Sequence, residues 1–274
     1  MTVAADTLAP SLDFARFADG AALADRYASA QPFAHIVLDG RFPDAALRAV
    51  VAEIAASEVP PEGDFYGSHK KLRVSDVLRM GLHTRRLIED LNSAPFIRFL
   101  EDLTGIRGLV PDPHLEGGGV HQIGPGGFLK VHTDFNWHRR LNLHRRANLL
   151  LYLNEGWREE WNGSLELWDA GMTRCEKLAP LFNRMVVFST TDFSYHGHPD
   201  PLTCPENVRR NSIALYYYSA QRPGSETRFG ASEMTNYRER PGEKFEHSSK
   251  HRLHQLQLRH PRLRKLLSLL RPGR

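Results

Sequence analysis

The sequence predicts an α+β protein in which N-terminal helices pack on one sheet of a double-sheet jelly roll. The N-terminal third carries apolar residues at helical spacing. From Gly119 onward the pattern changes to short apolar or alternating runs separated by Gly, Pro and Asn. Helices followed by many short strands favour a single core in which the helices cover one face of the β-rich part.

The N-terminal elements are predicted from spacing. A strand is expected over 32–38, and a helix over 44–54, where apolar residues recur three and four positions apart. A second helical stretch runs from Thr84 to Leu103 and is interrupted near Pro95, because proline disrupts a helix interior. Residues 1–118 are therefore expected to be helix-rich.

The predicted strands of the jelly-roll core lie in residues 119–220. They are short, and turn-forming residues bound most of them. In chain order they cover Val120–Ile123, Phe128–His132, Asn148–Leu153, Ser164–Trp168, Met185–Ser189 and Ser212–Ser219.

Composition narrows the class of protein. Apolar and charged residues make up 41% and 25% of the chain, as in ordinary globular proteins, and no apolar run approaches the length of a membrane span. The N-terminus lacks the basic-then-apolar order of a secretory signal, so we expect a cytoplasmic protein. Cys175 and Cys204 form neither a disulfide framework nor a CxxC zinc motif.

The basic charge of the chain is concentrated at its C-terminal end. Residues 250–274 contain eight of the 36 Lys and Arg residues and no acidic residue. We therefore predict a polar and basic C-terminal extension over 221–274. Its leucines at 263, 266, 267 and 270 form an apolar stripe, which fits a helix that binds a membrane surface or nucleic acid. A helix that docks on its own domain or on a second subunit fits equally well.

Two candidate metal ligands lie at the end of a predicted strand. In Lys130-Val-His-Thr-Asp-Phe135, His132 and Asp134 are two residues apart, so both side chains project to the same face. One imidazole and one carboxylate can then share a metal ion.

A second imidazole would complete the metal site. The candidate is His196 in Ser194-Tyr-His-Gly-His198, after the strand-like run that ends at Ser189. Two histidines and one carboxylate form a facial triad with open coordination positions, which suits Fe(II). His198-Pro-Asp200 is a competing H-x-D pattern, although its central proline disfavours a paired strand.

An arginine for an anionic ligand lies 14 residues after His196. In the run from Arg209 to Ser219, Arg210 shares a strand face with Ser212, Ala214 and Tyr216. A guanidinium can hold a carboxylate through two parallel hydrogen bonds, and the Ser212 hydroxyl can add a third. The alternative is that Arg210 is a surface arginine on an edge strand.

These motifs together resemble one enzyme family. The runs Gly124-Pro-Gly-Gly-Phe-Leu-Lys-Val-His-Thr-Asp134, Ala147-Asn-Leu-Leu-Leu-Tyr-Leu-Asn154, Gly163-Ser-Leu-Glu-Leu-Trp168, Ser194-Tyr-His-Gly197 and Arg210-Asn-Ser212 are similar to the prolyl-4-hydroxylase-like branch of the Fe(II)/2-oxoglutarate dioxygenases. The resemblance covers about Val120 to Ser219 and, more loosely, Pro32–Phe42.

The resemblance implies a fold and a set of ligands. The fold would be a double-stranded β-helix in one oxygenase domain over 1–220, with Fe(II) on His132, Asp134 and His196. Arg210 and Ser212 would bind the distal carboxylate of 2-oxoglutarate, and Tyr152 would reach the co-substrate, with Asn148 on the same strand face. Gln122 would take the place of a tyrosine that contacts 2-oxoglutarate in many family members. Asn136, Trp137 and His138 are expected at the mouth, where they could touch substrate, although Trp137 could equally pack as a rim hydrophobe.

The implied activity is hydroxylation of an unactivated C–H bond. Dioxygen and 2-oxoglutarate are consumed, succinate and CO2 are released, and ascorbate could stimulate turnover. We expect a small metabolite or an amino-acid-like group as substrate, with a peptidyl, prolyl-type substrate as the alternative. A halogenase is disfavoured because Asp134 is present, and a non-catalytic jelly-roll binding protein has little reason to keep all four residues in order. A homo-oligomer is compatible with the sequence.

Overall fold

The computed structural model describes residues 11–57, 67–228 and 230–244. Within these ranges the chain forms four α-helices and twelve β-strands. The α-helices are α1 (Gly20–Ser29), α2 (Asp44–Ala56), α3 (Leu82–Leu91) and α4 (Ala94–Thr104). Short 3-10 helices cover Phe14–Phe17, Val77–Arg79, Glu159–Trp161 and Gly224–Glu226.

The strands lie mostly after the helices. They are β1 (His35–Asp39), β2 (Ser68–Val74), β3 (Val110–Pro111), β4 (Gly119–Thr133), β5 (Trp137–His138), β6 (Leu143–Tyr152), β7 (Leu165–Trp168), β8 (Cys175–Leu178), β9 (Arg184–Ser189), β10 (Tyr195–His198), β11 (Arg210–Ser219) and β12 (Asn236–Tyr237).

The sheet is antiparallel and curls on itself. Its main path runs β1-β9-β6-β11-β4-β10-β7-β8, and β2 and β12 also pair with β4. The first part of β4 pairs with β11, and its last part pairs with β10 and β12. Strand β4 therefore belongs to both layers of a jelly roll, and the predicted fold class is confirmed.

The helices cover the outer face of one layer. Alternate residues of β6 from Leu149 onward, of β9 and of β11 project toward them. The buried side chains of this core include Leu47, Val50, Leu87, Leu91, Phe96, Leu100, Leu149, Leu151, Met185, Val187, Ile213 and Leu215. The opposite face of the same strands lines the space between the layers.

A second core fills one end of that space. Tyr152, Val186 and Phe188 from one layer pack against Leu165 and Leu167 from the other. The remaining inter-layer volume is an open cavity of about 220 Å³. The apolar end thus fixes the separation of the layers around the cavity.

The structure refines the predicted elements. The long helical stretch divides into α3 and α4 at Asn92 and Ser93, and Pro95 lies in the first turn of α4, where proline is tolerated. The two strands predicted over 120–132 are one continuous strand, β4. Strands β2, β3, β5, β8, β10 and β12 have no counterpart in the prediction.

Residues beyond the predicted domain boundary at 220 contact the core. Asn236 and Tyr237 form β12, which pairs with Thr133 and His132 of β4. The Arg240 guanidinium forms ion pairs with Asp200 and Glu166. The described part of the predicted extension, up to residue 244, therefore packs on the core.

The basic residues and leucine stripe of 250–274 lie outside the described residues. A membrane, nucleic-acid or second-subunit role for them stays a prediction. In the described ranges, every helix is too short or too polar to cross a bilayer.

The start of α3 depends on a carboxylate from α2. Glu53 accepts hydrogen bonds from the backbone N–H groups of His83 and Thr84 and from the Thr84 hydroxyl, each at 2.8 Å. Burial alone would raise the pKa of Glu53, but these hydrogen bonds outweigh it and lower the pKa. A negative charge at a helix N-terminus is also favoured by the helix dipole.

We expect Glu53→Gln to lower the free energy of unfolding by about 1 kcal/mol at neutral pH, the usual size of a lost cap. Because the folded-state pKa is lowered, this contribution is present above the unfolded value of about 4.3 and is lost as the pH falls below it. Urea unfolding at several pH values measures the difference. Glu89→Gln, at an exposed position of α3, is the control, and a difference that persists undiminished in acid would contradict the assignment.

Candidate active site

Three predicted metal ligands meet at one end of the cavity. His132 and His196 are directly paired residues of β4 and β10, and Asp134 follows the end of β4. The Asp134 carboxylate lies 3.5 Å from His132 Nε2 and 3.3 Å from His196 Nε2. One donor atom from each residue falls within 4.8 Å of the others, a spacing at which one metal ion can be held.

Backbone carbonyls orient both imidazole rings. His132 Nδ1 lies 2.8 Å from the carbonyl oxygen of Lys130, and His196 Nδ1 lies 3.0 Å from that of Ser194. With the proton on Nδ1, each ring donates to its carbonyl and presents the Nε2 lone pair to the site. Burial, followed by the charge of His196, lowers the pKa of His132, which favours the neutral form that binds metals.

A glycine allows β10 to lie close to β4. A Cβ atom on Gly197 would lie 2.8 Å from the carbonyl oxygen of Leu129 and 2.9 Å from that of Lys130. Any larger residue would push the two strands apart, and with them the two imidazoles. This contact explains the glycine that follows His196.

The Asp134 carboxylate is held by an arginine and an asparagine. Its Oδ2 accepts a hydrogen bond from Asn148 Nδ2 at 2.7 Å and lies 3.0 Å from Arg145 Nη2. Burial alone would raise the pKa of Asp134, but the Arg145 charge and the contacts with His196 and His132 outweigh it and hold the pKa well below its usual range. The carboxylate is therefore charged and ready to bind a cation.

Sequence reasoning missed Arg145, because a β-bulge turns its side chain inward. In β6 the inward residues alternate as Asn148, Leu150 and Tyr152, which would give the next inward place to Arg146. The pairing with β11 shifts between Tyr217 and Tyr218, and Arg145 faces the site instead. Its guanidinium stacks on the Tyr216 ring at 3.4 Å and donates to Asn148 Oδ1 at 2.8 Å.

Arg210 lies at the other end of the cavity, buried on β11. Its Nε donates to the carbonyl oxygen of Gly163 at 2.7 Å, and its Nη2 donates to the Tyr152 hydroxyl at 3.2 Å. Burial lowers the pKa of Arg210, and the proximity of Tyr152 partly offsets this effect. Ser212 lines the cavity on the same strand face, as predicted, whereas Arg209 is exposed.

The positions of Asn148 and Gln122 differ from the predicted roles. Asn148 lines the cavity, but its amide is engaged with Asp134 and Arg145, at the metal-ligand end. Gln122 lies on the opposite face of β4 and donates to Asn211 Oδ1 at 3.1 Å. The neighbouring His121 faces the cavity instead, so the prediction for Gln122 was wrong by one residue of strand register.

His198 is the histidine of the competing H-x-D pattern. It lies on β10 two residues after His196, is 3% exposed and lines the cavity. Neither of its ring nitrogens has a hydrogen-bond partner among the described residues. The competing motif does not assemble, because the Asp200 carboxylate is paired with Arg240 at 2.7 Å and lies outside this cavity.

The three predicted substrate residues do not line the cavity. The Asn136 amide donates to Asp192 Oδ1 at 2.8 Å and to the Gly230 carbonyl, and its oxygen accepts from Ser232 N–H. This side chain anchors the segment after residue 221 rather than facing substrate.

Trp137 and His138 are likewise engaged elsewhere. Trp137 packs edge-on against His144, with the ring centroids 4.7 Å apart, as in the rim alternative. His138 is fully buried, and its Nε2 lies 3.3 Å from both the Asp112 and Glu116 carboxylates. Neither residue lines the cavity, so their expected place at its mouth is not observed.

Other side chains form the mouth of the cavity. Lys71 and Arg73 of β2, Phe135 after β4, and Thr235 and Tyr237 near β12 line it and, apart from the buried Tyr237, are half-buried. The Tyr237 ring lies 5.6 Å from the His132 ring, measured between centroids. The sequence did not place Lys71, Arg73, Thr235 and Tyr237 at the cavity, because strands β2 and β12 were not predicted.

A family model matches the part of the chain that holds this site. The model describes the 2OG-Fe(II) oxygenase superfamily and matches residues 118–218. These residues include β4, β10 and β11, which carry the candidate ligands. Residues 118–218 are thus similar to the 2OG-Fe(II) oxygenase superfamily, in agreement with the predicted enzyme class. Among curated proteins, no sequence matches the chain.

Solved structures share the fold. A prolyl-4-hydroxylase from Pseudomonas putida is 20% identical, with a TM-score of 0.50 over 73% of this chain and 98% of that one. A Trichoplax adhaerens prolyl hydroxylase, solved with a hypoxia inducible factor oxygen degradation domain peptide fragment, is 17% identical, with a TM-score of 0.54 over 73% and 89%. A 2OG-Fe(II) oxygenase family oxidoreductase from Burkholderia pseudomallei is 16% identical, with a TM-score of 0.50 over 75% and 90%.

We expect Arg145→Met to weaken metal binding about 10- to 100-fold, the usual effect of losing a residue that holds a metal ligand in place. The substitution removes the charge that keeps Asp134 ionised but retains an apolar stem against Tyr216. Competition with a chelator, using Mn²⁺ or Fe(II), measures the affinity.

Arg146→Met is the matched control, because Arg146 is the neighbouring buried arginine and pairs with Glu226, away from the metal ligands. Thermal unfolding of both variants accounts for general loss of stability. An equal loss of metal affinity in both variants would contradict a specific role for Arg145.

Proposed function

We propose that the chain is an Fe(II)- and 2-oxoglutarate-dependent dioxygenase that hydroxylates an unactivated C–H bond of a small metabolite or amino-acid-like group. One observation carries the proposal. Two imidazoles and a carboxylate converge at one end of a cavity whose other end presents a buried arginine.

The donor set fits Fe(II). His132, Asp134 and His196 are two nitrogen ligands and one oxygen ligand, which suit a facial site with open positions. A closed structural zinc site would instead use four ligands and often thiolates. Both cysteines lie outside the cavity lining.

The opposite end fits a dicarboxylate. Arg210 keeps part of its guanidinium for a ligand after its bonds to Gly163 and Tyr152, and Ser212 lies on the same face. A buried cation without an anion is costly, so a bound carboxylate would relieve the burial of Arg210. The unpartnered nitrogens of His198 offer a further polar contact for the same group.

Different residues would have separate roles in the reaction. When bound, Fe(II), 2-oxoglutarate and dioxygen supply the oxidation, in which 2-oxoglutarate is converted to succinate and CO2 and the substrate gains a hydroxyl group. His132, Asp134 and His196 would hold the metal, and Arg145 with Asn148 would keep the carboxylate charged and oriented. Arg210 and Ser212 would fix the distal carboxylate, and Phe135 and Tyr237 would limit access of water at the mouth.

The proposal predicts slow succinate formation from 2-oxoglutarate when the purified protein is supplied with Fe(II), with or without ascorbate. A substrate should increase the rate, and parallel screens of free metabolites and of peptides separate the small-molecule from the peptidyl alternative. His132→Ala should abolish both iron binding and succinate formation, whereas exposed His114→Ala should retain them. No succinate under any metal condition would favour a non-catalytic jelly roll.

The two adjacent arginines allow a sharper test. Removing one partner of a buried charge pair costs roughly 3–5 kcal/mol, so Arg210→Ala should weaken 2-oxoglutarate binding by about two to nearly four orders of magnitude. Exposed Arg209→Ala should change it little, because surface charges contribute roughly 0–1 kcal/mol. Anaerobic titration of the Fe(II) protein, followed by its metal-to-ligand absorption band, measures both. A larger loss in Arg209→Ala would contradict the co-substrate assignment.

A further inference from the structure

Two cationic side chains of β2 face the cavity. Lys71 pairs with Ile123 and Arg73 pairs with His121, so both lie on the strand face that β4 turns toward the cavity. They are half-buried at the mouth. The proposed binding of iron and 2-oxoglutarate gives neither residue a role.

Arg73 lies on the metal-ligand side of the mouth. Its Nη1 is 4.0 Å from the position that a Cβ atom on Gly117 would occupy. Gly117 in turn accepts a hydrogen bond from the Tyr216 hydroxyl at 2.9 Å, and the Tyr216 ring stacks on Arg145. Arg73 is therefore connected through two neighbouring residues to the arginine that holds Asp134.

Lys71 shares the cavity lining with two histidines that do not belong to the triad, His121 and His198. Burial, followed by the charges of Lys71 and Arg73, holds the pKa of His121 well below its usual range. Burial, followed by the charges of Arg210 and Lys71, also holds the pKa of His198 well below its usual range. Both β2 cations thus act on groups inside the cavity.

Among the described residues, those that line the cavity carry more positive than negative charge. Among the described residues that line it, the cations are Lys71, Arg73, Arg145 and Arg210, and the carboxylate is that of Asp134. Fe(II) and 2-oxoglutarate have equal and opposite charges, so binding both leaves this excess unchanged. Arg145 offsets Asp134, and Arg210 would face the co-substrate.

We propose that Lys71 and Arg73 bind an anionic group of the substrate, a carboxylate or a phosphate, so that the hydroxylated molecule is an anion. This inference rests on the proposed function. A guanidinium can hold such a group through two parallel hydrogen bonds, and an ammonium adds a point charge. A cationic mouth also raises the local concentration of an anion. Because each of the two residues has at least one further interaction in the chain, their position on the cavity wall is what carries the inference.

Simple anions test this site while 2-oxoglutarate occupies its own. The Fe(II) protein, saturated with 2-oxoglutarate under nitrogen, is titrated at constant ionic strength with acetate, with inorganic phosphate, with the neutral isostere acetamide and with tetramethylammonium. The absorption band and the thermal unfolding temperature report binding. Acetate or phosphate should bind. Tighter binding of acetate would indicate a carboxylate on the substrate, and tighter binding of phosphate would indicate a phosphate group. Acetamide and tetramethylammonium should not bind.

Variants assign the binding to β2. In Lys71→Gln/Arg73→Gln the apparent Kd for the anion should rise by about tenfold or more, as expected when charge-assisted hydrogen bonds are lost. The affinity for 2-oxoglutarate should stay at its wild-type value because Arg210 is unchanged. Arg209→Gln, at an exposed arginine outside the cavity, is the control. Lys71→Arg/Arg73→Lys keeps both charges and should retain anion binding.

Each contrary outcome has a distinct meaning. Equal binding of acetamide and acetate, or an unchanged anion affinity in the double Gln variant, would overturn the inference while 2-oxoglutarate binding leaves the proposed function intact. Loss of 2-oxoglutarate affinity in the same variant would also overturn it, because the two cations would then belong to the co-substrate. Failure of the wild-type protein to bind 2-oxoglutarate would contradict the proposed function itself.

Discussion

The ion pair between Asp134 and Arg145 is the interaction on which the site depends. Asp134 is a largely buried carboxylate between two imidazoles, and removing such a charge from water is costly unless it is paired and hydrogen-bonded. Arg145 and Asn148 supply that compensation. Arg145 can reach the carboxylate only because of the bulge in β6 and the stacking platform of Tyr216. Residues of β6 and β11 therefore keep the Asp134 carboxylate, which follows β4, in its charged form.

The second constraint is the length of β4. A 15-residue strand that belongs to both layers places His121 and Ile123 beside β11, and then His132 beside β10. The arginine end and the metal-ligand end of the cavity are thus fixed by the same piece of backbone. A bidentate arginine and a facial metal site need a constant separation if they are to hold the two ends of one oxo-acid, and a continuous strand provides it.

The sequence was sufficient for elements with clear periodicity and for residues in a dense motif. The two predicted helical stretches, the inner strands β6, β9 and β11, and the positions of His132, Asp134, His196 and Arg210 follow from spacing and resemblance. Strand β2 has the sequence Ser-His-Lys-Lys-Leu-Arg-Val. Because it borders a polar cavity, its charged residues replace the apolar alternation from which a strand is predicted. The bulge that turns Arg145 inward, the register that selects His121 over Gln122, and the two-residue β12 depend on tertiary pairing, which has no local signature.

The segment after β11 closes the metal-ligand end mainly through polar contacts. Tyr237 lies against His132, and Arg240 and Glu243 tie the following residues to Asp200 and Lys130. Asn136 and Asp192 hold the preceding residues by hydrogen bonds. Apolar burial holds the helices on the opposite side of the sheet, so the two sides differ in the force that attaches them.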